Sequence, residues 1–99
     1  MERLNIEVVQ KHLSQLSGWA VSDEKWLVKK YRFRSYLSGI EFVNKIANLS
    51  EEENHHPFIS IDYILVTIKL SSWKANGITN LDLRLIEEYD QFYAERKEG

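Results

Sequence analysis

The chain has 99 residues, of which 43% are hydrophobic and 28% charged, and a formal net charge of −2. That composition suits one small globular domain over residues 1–99 and excludes a disordered segment. The slightly acidic balance argues against nucleic acid as a partner, the lack of cysteine removes disulfides and thiolate chemistry, and no apolar run is long enough for a membrane span.

Met1 to Gln10 lacks the apolar stretch of a secretory signal, so a cytoplasmic location is expected. Ile6, Val9, Leu13 and Leu16 recur at the spacing of a buried stripe. They predict a first helix over 6–16, with Asn5 as N-cap and Gly18 left-handed beyond its end. A short strand over 19–21, a polar turn at Ser22-Asp23-Glu24 and a second strand over 26–33 follow. In the second strand Leu27, Tyr31 and Phe33 share one face, with Lys30 and Arg32 on the other. Ser35 caps a longer helix over 36–52, whose stripe is Tyr36, Ile40, Val43 and Ala47, widened by Ile46. Pro57 disfavours helical geometry at His56, so the chain is extended there. A third strand over 58–63 puts Ile59, Ile61 and Tyr63 on one face, with Tyr63 read as core. A fourth over 64–70 turns Ile64, Val66, Ile68 and Leu70 inward. After a polar loop over 71–78, Thr79 and Asp82 read as the capping box of a last helix carrying Leu85, Ile86, Tyr89, Phe92 and Tyr93 inward. The order is α-β-β-α-β-β-α. Two hairpins separated by a helix favour a four-stranded antiparallel sheet with three helices on one face, a two-layer α+β domain.

The densest chemistry lies where the long helix meets the third strand. Two of the three histidines, His55 and His56, are adjacent there and precede the single proline, Pro57. A free imidazole titrates near neutral pH, so such a pair at the edge of a cleft is a candidate acid/base site. Neighbouring side chains of extended chain point apart, and no metal-ligand spacing surrounds them, so a metal site is not expected.

Glu51, His55-His56-Pro57, Tyr63, Trp73 and Asp82 together match a longer pattern: an acid, three residues, His-His-Pro, five residues, an aromatic, nine residues, His or Trp, and a later Asp. In this the chain resembles the pterin-4a-carbinolamine dehydratases, and the order of elements extends the resemblance over nearly its whole length. The resemblance implies an enzyme that removes water from 4a-hydroxytetrahydropterin to give quinonoid dihydropterin, with no metal or organic cofactor. It implies His55 and His56 as the acid/base pair. It also implies a pterin site drawn from Glu51, Asn54, His55, His56, Pro57, Ser71, Ser72, Trp73, Lys74 and Asp82. Within that set Glu51 is read as orienting a histidine and Asp82 as a helix cap. Well-known animal members carry a third histidine where this chain has Trp73. An indole stacks on flat rings and donates one hydrogen bond, but it cannot accept a proton. His55 is therefore expected to carry the essential transfer.

The family supports aromatic amino acid hydroxylases by recycling tetrahydrobiopterin, and its members are homodimers or homotetramers, so both relationships are implied here. Trp26, Tyr31 and Phe33 are candidates for the subunit contact. Two alternatives follow from the same resemblance. One is a non-catalytic interaction module, since animal members also act as dimerisation cofactors of a homeodomain transcription factor. The other is a dehydratase-like protein in another pterin-dependent process, including ones near molybdenum cofactor metabolism.

Overall fold

The computed structural model describes residues 2–98. Its elements are α1 (Ile6–Leu13), β1 (Ala20–Ser22), β2 (Trp26–Arg32), α2 (Tyr36–Glu53), β3 (Phe58–Asp62), β4 (Leu65–Leu70) and α3 (Asn80–Ala94), in the order expected. The sheet is antiparallel throughout and runs β1-β2-β4-β3, so β2 and β4 lie at its centre. Leu27 opposes Leu70 and Tyr31 opposes Val66, and all four are buried. Their shared face is covered by the helices, through Val9 and Leu13 of α1, Phe42 and Ile46 of α2, and Leu85, Ile86 and Tyr89 of α3. Burying a single side chain of this size contributes about 1.5–3 kcal/mol. This interior is therefore what holds α3, and with it the site described below, against the sheet.

A polar lock adds to the apolar core. Asp90 of α3 accepts hydrogen bonds from Trp19 Nε1 (3.1 and 3.2 Å), Lys29 Nζ (2.8 Å) and Tyr31 Oη (2.5 Å). The Lys29 ammonium also sits 4.7 Å from the Tyr31 ring centre. Burial first, and the Asp90 carboxylate second, push the Tyr31 hydroxyl well above the usual tyrosine range.

Four expectations are corrected. The first helix ends at Leu13, three residues early, because the chain tightens into i→i+3 bonds from Gln15 to His12 and from Leu16 to Leu13. The buried stripe of α2 is Gly39, Phe42, Ile46, Leu49 and Ser50, whereas Tyr36 and Ala47 are exposed. The helix is rotated by about one residue from the face first assigned. Phe42 then packs against Tyr31 and Phe33 (centroids 4.6 and 5.3 Å apart), a larger apolar gain than Val43 and Ala47 would provide. Tyr63 is not core. It has a φ of 55° in the tight turn between β3 and β4 and is 72% exposed. Finally, Tyr31 and Phe33 are 1% and 2% exposed inside the domain, so neither is available to a subunit contact. Gly18, by contrast, has the left-handed backbone expected of it, with φ 84°.

Candidate active site

The C-terminus of α2 sets the directions of the two histidines. Asn54 adopts a left-handed conformation (φ 51°, ψ 44°), which asparagine tolerates better than most residues. The His55 N–H then turns back to donate to the Ser50 carbonyl (3.1 Å), closing the helix end. With Pro57 following, His55 and His56 diverge, and each finds its own carboxylate.

His55 turns inward to the start of α3. Its Nε2 lies 2.6 Å from Asp82 Oδ1. Asp82 is completely buried, and its other oxygen accepts from the Thr79 N–H (2.8 Å), Thr79 Oγ1 (3.1 Å) and Ser72 Oγ (2.6 Å). Three donors on Oδ2 leave Oδ1 to the imidazole. A carboxylate only accepts, so Nε2 carries the proton in this pair and Nδ1 remains the basic nitrogen of the neutral ring. The expected capping box is present, and the same carboxylate orients a histidine. The α3 N-terminus favours negative charge at this position. His56 turns the other way, and its Nε2 is 2.5 Å from Glu51 Oε2 on the last turns of α2. That pair is open to water, at 52% and 79% side-chain exposure.

The loop after β4 forms the opposite wall. Ser72 and Gly77 bond each other twice across it (2.9 and 3.2 Å), and Asn76 closes back on the Trp73 carbonyl with a φ of 53°. This fixes the loop base and leaves Trp73 projecting, 81% exposed. A cavity of about 500 Å³ lies between the two walls.

Of the residues named from sequence, Asn54, His55, His56, Ser72, Trp73 and Lys74 line this cavity. Glu51 and Asp82 stand behind the histidines as their partners. Pro57 shapes the backbone. Ser71 is buried, bonds the Gly77 carbonyl and lines a neighbouring cavity instead. Sequence reasoning missed Glu53, Ala75 and Leu81 in the lining, and did not foresee that Ser72 Oγ also donates to Asp82. Glu53 lies at the C-terminal end of α2 and Leu81 in the first turn of α3, so the helix boundaries were the available signal. Among the described residues no three His, Asp or Glu side chains converge as a metal site would require.

Two histidine–carboxylate pairs, His55 with Asp82 and His56 with Glu51, thus stand beside one cavity that Trp73 also lines. The comparisons point the same way. Residues 2–92 match the family model described as pterin 4 alpha carbinolamine dehydratase. A protein of Picosynechococcus sp. named "Putative pterin-4-alpha-carbinolamine dehydratase" is 36% identical over 90% of this chain and 96% of its own. One of the same name from Herpetosiphon aurantiacus is 43% identical, over 87% and 88%. The chain belongs to the pterin 4 alpha carbinolamine dehydratase family.

Solved structures agree on the fold. A transcriptional coactivator/pterin dehydratase from Brucella melitensis superposes with a TM-score of 0.88 at 24% identity, over 93% of this chain and 99% of that one. A pterin dehydratase-like protein identified as a RuBisCO assembly factor of the alpha-carboxysome gives 0.68, also at 24%, over 79% and 92%.

Proposed function

We propose that this protein dehydrates 4a-hydroxytetrahydropterin to quinonoid dihydropterin and water. The observation that carries the reading is the pairing of each histidine with its own carboxylate, His55 with Asp82 and His56 with Glu51. The reaction needs one group to take a proton from a ring nitrogen and another to give one to the departing 4a-hydroxyl. An imidazole can either accept or donate a proton, so each of the two can serve one of these tasks. His55 is the better candidate for the essential transfer, because its partner is buried and held by three further donors. His56 is exposed and suits exchange of protons with solvent. Trp73 offers a face on which the pterin stacks, and Asn54, Ser72 and Lys74 supply polar contacts at its edge.

In this reading Glu51 and Asp82 orient the histidines, Pro57 holds the backbone between them, and Ser71 supports the opposite loop. No cofactor takes part. The setting is cytoplasmic recycling of tetrahydrobiopterin for an aromatic amino acid hydroxylase, by a homodimer or homotetramer. The names of the structural relatives include a coactivator and an assembly factor, but no arrangement among the described residues favours either role over the histidine chemistry.

The test is loss of enzymatically generated 4a-hydroxytetrahydropterin, followed by ultraviolet absorbance, with wild type and His55→Ala. Acceleration above the spontaneous rate by wild type, largely lost in His55→Ala, is the expected result. A wild-type rate equal to the background would sink the proposal.

A further inference from the structure

A second cavity, of about 200 Å³, adjoins the histidine cavity, and the two have Ser72 and Trp73 in common. Its remaining lining is Lys25, Trp26, Ser71 and Asn76. Its chemistry differs from that of its neighbour. Lys25 is its one charged side chain, and that ammonium has no ion pair or hydrogen bond among the described residues. The side-chain amide of Asn76 is likewise free, while its backbone carbonyl accepts from Arg3 Nη1 at 3.2 Å.

Lys25 is presented by a strained turn. Asp23 and Glu24 just before it have φ of 53° and 58°, and the Lys25 N–H donates to the Ser22 carbonyl. The carboxylates nearest in sequence, Asp23 and Glu24, line a third cavity with Arg3, and Lys25 and Asn76 line that cavity too. Neither lines the second cavity. That space therefore brings the Lys25 cation and the Asn76 amide beside the two indoles of Trp26 and Trp73.

We propose that this second cavity binds the substituent carried by the pterin ring, and that the substituent ends in a phosphate monoester paired with Lys25. The inference rests on the pterin reading of the histidine cavity and extends it. With the ring against Trp73, its substituent passes over Ser72 and meets the Lys25 ammonium and the Asn76 amide. Both are donors, and a phosphate supplies acceptor oxygens to each.

Isothermal titration with 6-hydroxymethyl-7,8-dihydropterin and with its monophosphate tests the idea, using wild type, Lys25→Gln, Lys25→Glu and Lys74→Glu. The readout is the ratio of the two Kd values within each protein, so a uniform loss of affinity does not affect it. The monophosphate is expected to bind wild type about tenfold more tightly than the alcohol, as one charge-assisted contact supports. The ratio should fall towards one in Lys25→Gln, invert in Lys25→Glu and persist in Lys74→Glu. Equal Kd values in wild type overturn the inference, as does a preference that survives Lys25→Glu or disappears in Lys74→Glu instead. Binding of the alcohol alone would refute the phosphate subsite and leave the pterin site standing. Binding of neither ligand would refute both.

Discussion

Replacing Asp82 by asparagine separates the two jobs of this carboxylate. In the native site Oδ1 faces His55 Nε2 at 2.6 Å, and Oδ2 accepts from the Thr79 N–H, Thr79 Oγ1 and Ser72 Oγ. An asparagine has one acceptor oxygen and one NH2 group. The three donors around Oδ2 demand the oxygen, so the NH2 must face His55. A donor there forces Nε2 to accept, which moves the imidazole proton to Nδ1 and so takes away the nitrogen that was free to accept one. The fold should lose only about 1–2 kcal/mol, since the cap geometry survives and charge-assisted bonds become neutral ones. Turnover should fall by roughly 10²–10⁴, the range of general acid–base catalysis. Three measurements are needed. Urea unfolding monitored by circular dichroism gives the stability change, and the dehydration assay gives kcat. Nitrogen-15 shifts of the His55 ring report the tautomer without reference to activity. A folded Asp82→Asn protein with wild-type kcat and an unchanged His55 tautomer would show that Asp82 only caps α3, and the argument for His55 would fail with it.

Three further outcomes follow from other parts of the structure. Asp90→Ala strands the donors of Trp19, Lys29 and Tyr31 and should cost roughly 2–4 kcal/mol in urea unfolding; a loss under about 0.5 kcal/mol would mean the lock is ornamental. Burial, the largest cause, raises both Tyr31 and Tyr89 above the ordinary value of about 10. Their neutral forms therefore contribute stability that is present below that value and is lost as pH rises beyond it. In an absorbance titration at constant temperature, two of the five tyrosines should ionise only when the protein unfolds, and reversible ionisation of all five in the folded state would contradict this. Trp73→His should leave stability within about 0.5 kcal/mol, because the side chain is 81% exposed. It should give no large gain in kcat if His55 already carries the transfer; a large gain would identify Trp73 as a handicap at this position.

Local signals gave the order of elements without help from the tertiary structure. Hydrophobic period, the caps at Asn5, Ser35 and Thr79, and Pro57 act within a few residues, and the three caps stand where expected. Where the sequence misled, two local patterns of similar strength competed. On α2 the row through Tyr36 and Val43 and the row through Gly39 and Phe42 are adjacent stripes of one helix. The aromatic surface of Tyr31 and Phe33, contributed by β2, selects the second. At Tyr63 strand alternation continued one residue too far, because pairing Asp62 with Leu65 requires a turn there. In the site, His55, His56 and Asp82 were legible as residues, but their partnership was not.

What the sequence determined by itself is the family, the α-β-β-α-β-β-α order and the presence of an adjacent histidine pair at a helix end, since all depend on short-range spacing. Only the tertiary structure decided that Asp82 serves His55 while Glu51 serves His56. Those residues are 27 and 5 apart in sequence, and a hydrogen bond needs heavy atoms within about 3 Å. The longer of these distances is closed by packing α2 and α3 on one face of the sheet, and no local spacing specifies it.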